Sequence, residues 1–144
     1  MINRRKTKSQ IKCFASLERK LLVNEAMVHI KNGNYHKAMC LYDKALDLEP
    51  TDNNALIARS KCHLLLGEPQ KALQDAENAL RHKIKNASIA NAMYYKAEAL
   101  YHLSDFEMSL VYYYRGMKIR PEYGQFRLGV QKAKDAIQNI LRKN

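Results

Sequence analysis

Apolar and small residues recur along most of the chain at intervals of three and four, the spacing of one face of a helix. Leu22, Ala26 and His29 share such a face and predict a helix from Arg19 to Asn32, ended by Gly33-Asn34. A second helix is predicted from Tyr35 to Leu48, stopping before Pro50. The pattern continues with helices over Asn53–Leu66 and Pro69–His82, broken at Gly67. Pro69 suits a first helical turn, where a missing N–H costs nothing. Helices over Ala87–Leu103 and Phe106–Ile119 follow the linker Lys83–Ala87, with Asp105 as N-cap of the latter. After the turn at Pro121–Gly124, Phe126, Val130, Ala133, Ile137 and Leu141 mark an amphipathic helix over Gln125–Arg142. At the other end Ile11, Phe14 and Leu17 are spaced by three. Ser9–Leu17 either extends the first helix or docks separately on a partner.

The helices come in similar pairs. Gly33-Asn34-Tyr35, Ala38, Tyr42, Ala45-Leu46 and Pro50 return 34 residues later as Gly67-Glu68-Pro69, Ala72, Ala76 and Ala79-Leu80. They return 37 residues further on as Ser104-Asp105-Phe106, Ser109, Tyr113, Gly116 and Pro121; Ile84 stands at the regular Pro position before the third pair. This period and these small residues resemble the tetratricopeptide repeat, a helix-turn-helix unit that stacks into a solenoid. The resemblance implies an all-α fold: a solenoid of three helix-turn-helix repeats over residues 19–52, 53–86 and 90–123. A basic N-terminal arm, residues 1–18, is expected before it, and a capping helix with a basic tail, residues 124–144, after it. Solenoids need such a polar cap. Ala26, Ser60 and Ala97 in the first helix of each pair, and Ala38, Ala72 and Ser109 in the second, let the backbones approach. Ala45, Ala79 and Gly116 do so between repeats, while Tyr35, Tyr42, Phe106 and Tyr113 fill the space left.

Chemistry is thin. His29, His36, His63, His82 and His102 form no HExxH pair, and His29 and His63 hold equivalent packing positions. There is no phosphate loop, no GxSxG and no paired-acid arrangement. No catalytic residue, metal or cofactor is expected, and the chain reads as a binding scaffold. Cys13, Cys40 and Cys62 are odd in number and lack CxxC spacing, which fits reduced intracellular thiols. Cys40 and Cys62 fall inside helices and are expected to be buried and inert. No 18-residue apolar run or signal-peptide core is visible, so neither a membrane span nor a secretory signal is expected.

Charge is unevenly placed within a formal net charge of +11. Residues 1–20 carry seven Lys/Arg against one acid, and residues 115–144 carry eight against two. The repeat body holds ten basic and eleven acidic residues. Basic ends fit contact with a polyanion; the plain alternative is that they solvate exposed termini. Arg4, Arg5, Lys6, Lys8, Lys132, Lys134, Arg142 and Lys143 are the candidate electrostatic contacts. Arg4, Arg5, Lys6 and Lys8 have no aromatic neighbour before Phe14, so the interleaving that single-stranded nucleic acid favours is missing.

The first helices of the pairs should line a concave face. This places Val23, Asn24, Met27, Ile57, Ala58, Lys61, Tyr94, Tyr95 and Glu98 in one trough, aliphatic and aromatic with few charges. Such a trough suits an apolar segment or helix. Chaperone-binding repeat domains grip a C-terminal carboxylate with Lys, Asn and Arg at positions matched here by Val23, Met27, Ala58, Asn91 and Tyr95. None supplies that chemistry.

Two stretches go beyond the generic repeat. One is Ala58-Arg59-Ser60-Lys61-Cys62-His63-Leu64 with Gly67. The other runs from Lys96-Ala97-Glu98 through Asp105-Phe106-Glu107, Ser109-Leu110-Val111-Tyr112-Tyr113, Arg115-Gly116 and Arg120-Pro121 to Phe126-Arg127, Gly129–Ala133 and Ala136-Ile137. Together they resemble the N-terminal repeat region of the outer dynein arm docking complex subunit 4 family, across about residues 20–140. The resemblance implies a non-catalytic axonemal adaptor of cilia and flagella. Its partners would be coiled-coil docking-complex subunits, outer dynein arm components, and tubulin of the doublet microtubule, whose tails are acidic. It implies no membrane partner. The competing expectation is a general cytoplasmic adaptor, assembly factor or co-chaperone without a carboxylate clamp.

Overall fold

The structure is a computed structural model that describes residues 7–82 and 85–143. Arg4, Arg5 and Lys6, and the linker residues Lys83 and Ile84, lie outside the described residues. Within them the chain forms seven helices and no strand: α1 (Lys8–Lys31), α2 (Tyr35–Leu48), α3 (Asn53–Leu65), α4 (Pro69–Leu80), α5 (Asn86–His102), α6 (Phe106–Ile119) and α7 (Gly124–Lys143). Helix α1 packs on α2, α3 on α4, α5 on α6, and α7 on α6.

The helix ends follow local chemistry. Thr7 and Gln10 form a capping box at the start of α1. Asp52 and Asp105 accept backbone N–H bonds from Ala55 and Met108 as N-caps of α3 and α6. Gly33 and Gly67 adopt the left-handed conformation that turns each pair, at φ 78° and 75°. The third turn uses Ser104 at φ 65°, a non-glycine held there by the same pair of backbone bonds. Helix α1 begins at Lys8 without a break. Residues 8–18 are therefore its first three turns, and Ser9–Leu17 extends the first helix. Ile11, Phe14, Leu17 and Leu21 remain more than half exposed on it.

The small residues sit at the helix crossings. Ala26 and Ala38, Ser60 and Ala72, and Ala97 and Ser109 are all fully buried. Where one member is serine, its hydroxyl donates to the partner's carbonyl: Ser60 to Ala72 at 2.7 Å and Ser109 to Ala97 at 2.8 Å. The serine has moved from the first helix to the second between repeats, and the bond has reversed with it.

Helix α7 is keyed into α6 by two glycines. A methyl group on Gly116 would fall 2.1 Å from the Phe126 ring of α7, and one on Gly129 of α7 would fall 2.3 Å from the Tyr113 ring. Each helix inserts an aromatic ring where the other has no side chain. Cys62 is buried, and burial pushes its thiol up to about 11, so it is inert at neutral pH. Cys40 is exposed instead of buried. It lies on the side of α2 away from Ala38, Tyr42 and Ala45, which face the core.

Candidate functional site

Helices α1, α3 and α5 lay one face each along a shared trough. Met27, Ile30 and Lys31 come from α1; Asn54, Ile57, Ala58 and Lys61 from α3; Asn91 and Tyr95 from α5. Tyr42 of α2 forms the floor, and the cavity measures about 400 Å³. Of the nine residues expected there, Met27, Ile57, Ala58, Lys61 and Tyr95 come together. Val23 packs half-buried against the core around Ala26, Tyr42 and Ile57, and Asn24 is exposed on α1 outside the cavity lining.

Tyr94 and Glu98 are taken up by α7. The Tyr94 ring meets Phe126 edge to face at 5.8 Å. Glu98 accepts hydrogen bonds from the Tyr113 hydroxyl and from Lys132 Nζ, the latter at 2.7 Å. Burial and the neighbouring Glu98 push the Tyr113 phenol far above its usual range, so it stays a donor. Lys132 also lies 4.6 Å from the centre of the Tyr101 ring. It was expected as a solvent-facing electrostatic contact, and it is instead a strut between α7 and α5. Lys134 is exposed with its amine 5.6 Å from the Tyr114 ring. Lys8, Arg142 and Lys143 are exposed at the helix ends.

Ile30, Lys31, Tyr42, Asn54 and Asn91 enter the trough without having been expected there. Two of them were within reach of the sequence, since Asn54 and Asn91 hold the same repeat position, 37 residues apart. Tyr42 and Tyr113 are also equivalent, but their hydroxyls differ in fate. Met27 stands where the third repeat has Glu98. The buried Tyr42 hydroxyl has no hydrogen-bond partner among the described residues, and burial raises its phenol to about 12.

Behind the trough, at the junction of the first two repeats, Arg59 forks onto Asp75 with two bonds of 2.8 Å and reaches Asp43 at 2.9 Å. His63 sits 3.4 Å from both Asp75 and Glu68. Burial alone would raise the Asp75 carboxyl. Hydrogen bonds from His63 and Arg59, with the charge of Arg59, outweigh it and hold the carboxyl below its ordinary value. Arg19 of α1 pairs with Asp52, the N-cap of α3, so ion pairs tie the first repeat to the second on two sides. Among the described residues no group of His, Cys, Asp and Glu could hold a metal ion, and no helix is long and apolar enough to cross a membrane.

A family model described as anaphase-promoting complex, cyclosome, subunit 3 matches residues 31–113, more than half of the chain. The chain belongs to this family. Among curated proteins it is 53% identical over 109 residues to outer dynein arm-docking complex subunit 4 of Xenopus laevis, covering 76% of the chain and 20% of that protein. The Danio rerio protein of the same name is 49% identical over 115 residues, covering 77% and 22%. The Homo sapiens one is 43% identical over 109 residues, covering 76% and 16%. The chain thus spans about a fifth of the length of the curated relatives it matches. Among solved structures, the Sgt2 TPR domain from Aspergillus fumigatus superposes with a TM-score of 0.79 at 24% identity, covering 87% of this chain and 82% of that one. The first TPR domain of the human RPAP3 protein does so at 0.79 and 20%, covering 88% and 98%. The fold is therefore an all-α tetratricopeptide solenoid, and the resemblance to the docking-complex subunit holds over three-quarters of the chain. These relatives are repeat proteins and proteins named as docking-complex subunits.

Proposed function

We propose that this protein is an axonemal adaptor that helps to place outer dynein arms on the doublet microtubule. The observation that carries the reading is the identity of 43–53% to proteins named as outer dynein arm-docking complex subunits. The trough is the partner surface in this reading. Its aliphatic walls and two tyrosines, Tyr42 and Tyr95, suit an apolar helix, which fits coiled-coil docking subunits. The exposed cations at the helix ends suit the acidic surface of tubulin, through contacts that salt would screen. The protein then belongs to the cytoskeleton of the cilium or flagellum.

A second reading rests on a match of 29% identity over 108 residues to a DnaJ homolog subfamily C member 3 of Gallus gallus. It makes the chain a general repeat adaptor, assembly factor or co-chaperone. The trough speaks against a carboxylate-tail receptor, because Met27, Ala58, Asn91 and Tyr95 bring no cation to the clamp positions. A fluorescently tagged copy in ciliated cells separates the readings. Signal along the axoneme is expected; signal confined to the cell body would overturn the docking role.

A further inference from the structure

The junction of the first two repeats serves as a template for the next one. There, one cation meets two carboxylates: Arg59 with Asp75 and Asp43. Carried to the junction of the second and third repeats, Arg59 becomes Lys96 and Asp75 becomes Tyr112, each 37 residues on, and Asp43 becomes Glu77, 34 residues on. The cation survives, the carboxylate that held it with two bonds has become a phenol, and Glu77 forms no ion pair with Lys96. Lys96 Nζ donates to the Tyr112 hydroxyl at 2.9 Å and lies 4.0 Å from its ring centre. Arg115 lies 4.9 Å from the same ring. Two cations thus share one neutral phenol. Among the described residues neither forms an ion pair with a carboxylate.

These side chains open onto a cavity of about 690 Å³ between α4, α5 and α6, with Leu80, Ile89 and Met93 as its apolar part and no acid in its lining. Ile89, Met93 and Lys96 follow one another at four and three residues on α5. Their face is turned away from that of Asn91 and Tyr95, so this cavity and the trough are separate. Lys96 keeps donors beyond the one given to Tyr112, and Arg115 has five N–H groups. Each can bond an anion without leaving the Tyr112 ring.

We propose that this cavity is a second docking site, which takes an acidic side chain from a partner peptide. The carboxylate bridges Lys96 and Arg115 over Tyr112, in the place that Asp75 takes beside Arg59 one repeat earlier. An apolar residue beside it in the peptide rests on Leu80, Ile89 and Met93. A bare polyanion would satisfy the cations and leave those three uncovered, so the occupant is an acidic peptide with apolar neighbours and not a nucleic acid. The proposal does not depend on what fills the trough. With both sites in use, the protein would join two partners on opposite sides of one helix layer.

The test uses the whole chain and three labelled peptides of equal length: alternating glutamate and leucine, alternating glutamine and leucine, and alternating glutamate and serine. Fluorescence anisotropy at physiological salt should show tight binding for the first alone. Lys96→Gln with Arg115→Gln should weaken it by at least about tenfold, and Lys96→Gln alone by less. Arg115 is exposed and Lys96 half-buried, and an unchanged melting curve would establish that the variants fold. Met27→Glu in the trough should leave this binding as it is. Equal binding of the glutamine peptide, indifference to the Lys96 and Arg115 changes, or loss through Met27→Glu would each overturn the proposal. So would a single-stranded oligonucleotide that competes as well as the glutamate–leucine peptide.

Discussion

Gly116 and Gly129 mark how closely α6 and α7 approach. A methyl group at either position would enter an aromatic ring that is itself buried, Phe126 in one case and Tyr113 in the other. Neither ring has free space to retreat into. Gly116→Ala and Gly129→Ala should each cost about 1–3 kcal/mol through overpacking, lowering the melting temperature by several degrees. Gly124, at the start of α7, has nothing within 4 Å of an added methyl, and Gly124→Ala should be neutral or slightly stabilising. Equal melting of all three variants with the parent chain would refute the interlocked packing. The same scale shows what a sequence hides. The small residues at the crossings are legible because they recur at fixed repeat positions. The fate of Glu98 and Lys132 is not, because it depends on where a helix outside the repeats comes to rest. Read alone, Glu98 is a trough residue and Lys132 a surface charge; together with Tyr113 they hold α7 down.

Along the elements, the turns at Gly33 and Gly67 and the caps at Asp52 and Asp105 are local signals, and the helices expected from them lie within a residue or two of those observed. Two departures have physical causes. Helix α1 gains its first turns through the Thr7 and Gln10 box, which decides for helix extension where the Ile11, Phe14 and Leu17 spacing leaves two alternatives. Ser104 takes the left-handed turn without glycine because the flanking helices impose it. The Arg59 network adds a pH dependence at the junction of the first two repeats. The Asp75 carboxyl is held below its ordinary value in the fold. Its stabilising contribution is therefore present above about pH 4 and lost as the pH falls below that. Melting should be flat near neutrality and drop in acid. Asp75→Asn should lower stability at pH 7 by about 3 kcal/mol, since Arg59 loses its two-pronged partner, and should lessen the acid drop. An acid drop of the same size in the variant would show that other carboxylates are responsible.

At the scale of the whole molecule, a nearly neutral repeat body stands between two basic ends, and two cavities open on different sides of α5. The trough faces the side lined by α1, α3 and α5, with Met27, Lys61 and Tyr95 in its lining. Helix α7 closes the third repeat and withdraws Tyr94 and Glu98 from that surface, so the open trough belongs to the first two repeats and the near edge of the third. The adaptor reading thus reduces to whether this surface holds a docking-complex partner. Met27 and Lys61 are exposed, and changing them leaves the core intact. The decisive measurement is a calorimetric titration of the coiled-coil docking subunits into the protein and into a Met27→Glu, Lys61→Glu variant of unchanged melting temperature. The parent chain should bind, and the variant should bind at least about tenfold more weakly, because two carboxylates would be desolvated against an apolar helix. No binding by the parent chain, or equal binding by both, would contradict the trough as the docking surface.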